Sequence, residues 1–197
     1  MDGANTRTRI VDTALVAFGT RGYDATSLDA LAAELGVRKQ TILYYFPSKE
    51  AVLDAAIDRG AGELSQALEV SLAGAGGGWE RVEAIVRSVF QLAGRRSELL
   101  GLLREVSRLG PPAATRLTAA LDPLIARATA FLQAEVDAGT MRSQEPRLLL
   151  LAAYSTVIGV ATEVEVLRAL GFEPTARSLV RRRAELLAFL RSALVAG

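Results

Sequence analysis

The chain contains neither cysteine nor histidine. Their absence excludes disulfides, thiol nucleophiles, a histidine-based catalytic triad and the usual zinc ligands. Carboxylates and serines remain, but no cluster of them is spaced for acid–base or nucleophilic work, and no glycine-rich phosphate loop occurs. The composition therefore points away from an enzyme and requires no metal or cofactor. Charge of either sign in excess is also missing. The net charge is +1 and the first 50 residues are close to balance, so any nucleic-acid footprint must be local. Long apolar runs are scarce: the longest, Leu148 to Ala161, falls short of the roughly 20 residues that cross a bilayer and includes Ser155, Thr156 and Gly159. No apolar leader opens the chain. The expectation is a soluble cytoplasmic protein with no membrane partner. A length of 197 residues suits one large or two small domains.

Lysine is rare as well, and its placement is informative. Of 23 basic residues only Lys39 and Lys49 are lysines, and both fall in one stretch, Ser27 to Glu50, SLDALAAELGVRKQTILYYFPSKE. Leu28, Leu31, Ala32 and Leu35 recur at helical spacing. Thr26 and Ser27 are candidate N-caps, and Asp29 puts a negative charge near the positive helix end. Gly36 stands where a helix C-terminus favours positive φ. Val37 plugs the corner, Arg38 to Phe46 resumes a helical pattern with Ile42 and Tyr45 inward, and Pro47 ends it. A small Ala32, a turn at Gly36 and an anchor at Ile42 let two helices cross closely, as a helix-turn-helix requires. Arg38, Lys39, Gln40, Thr41, Leu43 and Tyr44 then face outward. Arg and Lys suit guanine, Gln suits adenine, and Thr or Leu can meet a thymine methyl. The alternative is a structural hairpin whose Arg38 and Lys39 form a solvated face.

Upstream, Thr6 to Arg21 places Ile10, Ala14 and Phe18 on one face beside Val11 and Leu15, a supporting helix closed by Gly22. Arg7 and Arg9 at its start could form an arm reaching a phosphate or minor groove, or an ordinary frayed terminus. With this helix in place, the run through Gly22, Tyr23, Thr26, Ser27, Ala32, Gly36, Val37, Lys39, Thr41 and the ending YFPSKE (Tyr45 to Glu50) resembles the tetracycline-repressor (TetR) family over roughly the first 50 residues. Three positions depart from the common pattern: a small residue is usual at Gln40, Tyr at Leu43 and His at Tyr44. The resemblance implies that Lys39, Gln40, Thr41 and Tyr44 lie against DNA with Arg38 at the mouth of the groove. It also implies that Thr26, Ser27, Tyr45 and Lys49 grip phosphate, in agreement with the chemistry of helix N-termini, hydroxyls and lysine. For Tyr45 two roles compete, a core ring and an outward hydroxyl.

The rest reads as helix, with no strand pattern or internal repeat. Ser48 caps a helix to Leu72, and GAGGG at 74–78 breaks the pattern. Segments from Trp79 to Ala93 and from Glu98 to Leu109 follow, then one ending at Leu121. Asp122 and Pro123 read as a cap and first-turn pair opening a helix to Asp137, and Glu145 and Pro146 as the start of one long helix to Leu170. Thr175 caps a last helix to about Val195. The fold class is all-α: residues 1–47 a helix-turn-helix domain, residues 48–197 a helical effector-binding and dimerisation domain.

The last two helices carry more apolar surface than one core needs, and with their symmetry mates they would form a homodimer on a pseudo-palindromic operator in double-stranded DNA. The run Arg181 to Arg183 reads as a solvated or rim face. TetR-like proteins generally bind a small molecule in the larger domain. The candidates here are Trp79, Phe90, Phe131 and Tyr154, with Arg104, Glu105, Glu163 and Glu165 as polar anchors, although aromatics at helical spacing serve equally as core. The expectation is a repressor released by a small apolar ligand. The alternatives are an all-helical binding protein or enzyme with a structural hairpin, and a ligand-free DNA-bound adaptor.

Overall fold

The computed structural model describes residues 3–143 and 145–195, and among these the chain runs through ten helices. They are α1 (Gly3–Arg21), α2 (Leu28–Leu35), α3 (Lys39–Tyr45), α4 (Lys49–Ala73), α5 (Trp79–Arg95), α6 (Ser97–Leu109), α7 (Ala113–Asp137), α8 (Pro146–Thr162), α9 (Val164–Ala169) and α10 (Ala176–Leu194). The described residues form no β-strand, only an isolated bridge between Met141 and Val195. No helix among them is long and apolar enough to cross a membrane.

Two compact units result. The first comprises the chain up to Leu64 with Ser97–Leu121, and the second Ser65–Arg96 with the chain from Asp122 onward. These units cut the chain elsewhere than the division expected at residue 47, because α6 packs on α1 and α4 contributes Val52, Ala56 and Ile57 to the same core.

In the first unit the supporting helix closes over the hairpin as its periodicity predicts. Ile10, Ala14 and Phe18 are fully buried with Leu31 and Ile42, and Val11 and Leu15 join them. Burying one such large side chain contributes about 1.5–3 kcal/mol. The α1–α6 contact is made by backbone: a Cβ built on Gly19 would stand 1.9 Å from the Glu98 carbonyl oxygen, and one on Gly101 2.1 Å from the Gly19 carbonyl oxygen. Helices α1 and α6 therefore meet backbone to backbone at these positions, an approach that a side chain at either would obstruct.

In the second unit α5, α8 and α10 pack on one another. Glu145 caps α8, its carboxylate accepting the Leu148 amide N–H, and a capping box at Thr175 and Ser178 opens α10.

Three boundaries differ from the sequence reading. Arg7 and Arg9 belong to α1 and form no arm: Arg7 lies over the Phe46 ring at 5.0 Å and Arg9 donates to the Leu35 carbonyl at 3.2 Å. Pro123 lies inside α7 and opens nothing. Its fixed φ is helical, so it removes one N–H from a helix whose upstream residues are good formers. The long helix expected to reach Leu170 is broken at Glu163, with ψ at 76°. There Arg182 of α10 donates to the Val160 carbonyl, replacing the amide that a continuous helix would supply.

Candidate nucleic-acid interface

The hairpin is fixed from below. Ser27 is the N-cap of α2, its hydroxyl accepting the Ala30 amide N–H at 3.1 Å. Gly36 follows α2 at φ 67°, with Val37 N–H donating to the Ala32 carbonyl and Gly36 N–H to the Ala33 carbonyl. This is a Schellman closure, available to a residue comfortable at positive φ. Ala32 is buried, and Ile42 and Phe46 lock α3 beneath the surface. What α3 leaves outside is polar or aromatic apart from Leu43. Arg38 and Gln40 are exposed, Lys39 and Thr41 half-buried, Leu43 39% and Tyr44 83% exposed. Tyr45 is half-buried with its ring edge-on to Tyr44 at 5.1 Å between centroids, intermediate between its two expected roles.

Thr26 departs from expectation. It is fully buried, and its hydroxyl donates to the Gly22 carbonyl at 2.8 Å. Its side chain ties the α1–α2 turn from within and presents nothing to a phosphate. Ser27 beside it is exposed.

The charged groups interlock in ways that spacing did not reveal. Lys39 Nζ pairs with Asp29 of α2 at 2.9 Å, so the lysine at the start of α3 is held by the acid that opens α2. Lys49 Nζ sits 3.9 Å above the Tyr23 ring, and the Tyr23 hydroxyl donates to Glu50 at 3.0 Å. Burial first, and then this carboxylate partner, push the Tyr23 hydroxyl up to about 12. Glu50 is held below the usual carboxylate range by its own backbone N–H, by Ser48 and by Tyr23. The Tyr23 amide N–H donates to Glu105 of α6 at 2.6 Å, and Arg108 forks between Glu105 and Asp24. Arg108 holds the Glu105 carboxyl below its ordinary value against the opposing effect of burial.

The residues expected to line a ligand site fall in both units. Arg104 and Glu105 stand on α6 in the first unit, whereas Trp79, Phe90, Phe131 and Tyr154 belong to the second. Glu105 is a structural tie to the α1–α2 turn. Phe90 is buried core, Phe131 lies under Arg81 at 5.5 Å, and Trp79 lies under Arg191 at 5.9 Å. Tyr154 is 45% exposed on α8 beside Leu151. Of the two further acids, Glu165 pairs with Arg168 and Glu163 occupies the α8–α9 break. Arg182, read as part of a solvated run, is turned inward. The signal was present in its spacing, three residues after Leu179 and four before Leu186.

A helical unit that exposes a polar second helix above a glycine-closed turn defines a helix-turn-helix protein. Residues 10–56 match the family model of the bacterial regulatory proteins of the tetR family. It is 33% identical over 49 residues to the biofilm operon icaADBC HTH-type negative transcriptional regulator IcaR of Staphylococcus aureus (strain Newman). That match covers 25% of this chain and 26% of the relative, so the chain spans about a quarter of its length. Over nearly the whole chain the fold resembles that of a transcriptional regulator from Saccharomonospora viridis solved in complex with choline. That structure has a TM-score of 0.81 and 22% identity, and the match covers 98% of this chain and 100% of the other. AibR, solved in complex with isovaleryl coenzyme A and operator DNA, has a TM-score of 0.76 at 18% identity, with 93% and 96% covered.

Proposed function

We propose that the chain is a DNA-binding transcriptional repressor that acts as a homodimer and is released from its operator by a small molecule. Residues 1–47 read DNA, and residues 48–197 bind the effector and dimerise, so the protein works in the cytoplasm beside its operator. The observation that carries this reading is the outer face of α3, where Arg38, Gln40 and Tyr44 stand exposed above a buried Ile42. Gln40 and Tyr44 meet base edges, Arg38, Lys39 and Thr41 border the groove, and Ser27, Tyr45 and Lys49 contact phosphate. A second copy would cover Leu148, Leu151 and Tyr154 of α8 and Val180 and Phe189 of α10, apolar side chains between 45% and 65% exposed. Release by a small molecule is supported by the fold neighbours, one solved with choline and one with isovaleryl coenzyme A and operator DNA.

The test is a gel shift on the DNA upstream of the chain's own gene. If a dimer neutralises about 6–10 phosphates, affinity falls by roughly 10³ to 10⁵ between 50 and 200 mM salt. A flat salt dependence would return the hairpin to a structural role in a binding protein or enzyme. Binding that no small molecule weakens would favour a DNA-bound adaptor.

A further inference from the structure

Helix α10 has an inward stripe at helical spacing: Leu179, Arg182, Leu186, Leu190 and Leu194. The last three are buried, and Leu179 packs against the Gly94 backbone of α5. Arg182 is the charged member of this apolar series. Its Nη1 donates to the Val160 carbonyl at the end of α8, while its Nε is sealed from solvent with no hydrogen-bond partner. The neighbouring Arg181 is satisfied over the Phe172 ring, and Arg168 and Arg127 are paired with Glu165 and Glu69. No carboxylate among the described residues pairs with Arg182. Burial alone acts on its guanidinium, disfavouring the charged form.

Arg182 is half-buried, and a sealed guanidinium Nε–H with no acceptor costs free energy that a leucine in the same stripe would not, so its position calls for a ligand. We infer that Arg182 anchors a carboxylate or phosphate on the small molecule taken up by the second unit. With Nη1 committed to Val160, the edge formed by Nε–H and Nη2–H is left, and its two parallel donors match the two oxygens of a carboxylate or phosphate. The leucines that flank Arg182 along the stripe favour an apolar body behind the anionic head. The ligand class is therefore an amphiphilic organic anion. This inference rests on the ligand-binding reading above and narrows its chemistry.

The protein is titrated with octanoate, octyl phosphate, octan-1-ol and choline, followed by the fluorescence of Trp79, the single tryptophan. Octanoate or octyl phosphate should bind at least tenfold tighter than octan-1-ol, with choline weakest. Arg182→Met should abolish the preference for the anion while melting at or above the parent temperature, because a sealed donor without an acceptor has been removed. Should Arg182→Met fail to fold, Arg182→Gln carries the same comparison, and Arg182→Lys should keep part of the preference. The inference is overturned if none of the four probes binds, if octan-1-ol binds as tightly as the anions, or if the Met or Gln variant keeps the preference. Operator binding is measured separately. Arg182-dependent anion binding that leaves the operator complex intact would sustain the anchor and refute ligand release, whereas anion binding by a chain with no operator affinity would refute the repressor alone.

Discussion

In the first unit Ile10, Phe18, Leu31, Ile42 and Leu99 are fully buried, whereas in the second Leu148, Leu151, Val180 and Phe189 stand between 56% and 65% exposed. Of the most completely sealed large side chains, all but Val86 belong to the first unit. The first unit completes its core with its own helices and leaves the face of α3 outside; the second leaves apolar faces of α8 and α10 uncovered. A unit that seals itself can present a rigid surface to a polar partner, and one that does not offers an apolar surface for a partner to cover.

The largest effect should come from putting charge on the uncovered faces. Phe189→Glu or Leu151→Glu would bury an unpaired carboxylate in a dimer interface, a class of change that exceeds about 4 kcal/mol, and sedimentation should show monomers. Val16→Glu, at a position 44% exposed in the first unit, should shift stability by no more than about 0.5 kcal/mol. A parent chain that sediments as a monomer would break the comparison.

Overpacking tests the sealed side. Gly19→Ala should cost about 1–3 kcal/mol or more by forcing α1 from α6, read as a lower urea midpoint. Gly62→Ala, with nothing within 4 Å of its Cβ position, should gain about 0.5–1 kcal/mol. Equal midpoints would mean that the first unit is looser than its burial implies.

On the face that the first unit leaves outside, Gln40→Ala and Tyr44→Ala should each alter base preference by about 1–3 kcal/mol. Lys49→Ala should weaken all sequences alike. A binding-site selection returning the parent site for Gln40→Ala would mean that α3 is rotated from the assumed docking.

The smallest effects are electrostatic. Glu105 titrates below its ordinary 4.5 in the folded chain, so its contribution is present above that pH and lost as pH falls further. Tyr23 titrates at about 12 against an ordinary 10.0, so its contribution is complete below pH 10 and lost as pH rises toward 12. Glu105→Gln should flatten the acid limb of a stability curve and Tyr23→Phe the alkaline limb, each by less than about 1 kcal/mol. Unchanged limbs would show that the ties at the α1–α2 turn are energetically idle.

Local signals were legible in the sequence wherever one residue type has one backbone use. Ser27, Gly36, Glu145 and Thr175 mark helix ends by caps, and all four hold in the structure. The sealing of Ile10, Phe18 and Ile42 followed from periodicity. Where two local signals competed, the reading failed. Pro123 can open a helix or be carried inside one, and good formers on both sides of it decided for the latter. Nothing near Thr162 announced a break, because the group that ends α8 is Arg182, 22 residues away from Val160. Separation in sequence also hid the pairing of Lys39 with Asp29 and of Tyr23 with Glu105.

The α1–α6 crossing also has an evolutionary consequence. Gly19 and Gly101 meet through backbone oxygens, so a methyl group at either collides with main chain, which cannot rotate aside as a side chain does. Neither position can change first, and no single compensating substitution at the other relieves the clash. A substitution at either site must displace main chain to be accommodated. The depth at which α6 seats against α1 is set by main chain, while the exposed positions of α3 meet no such limit.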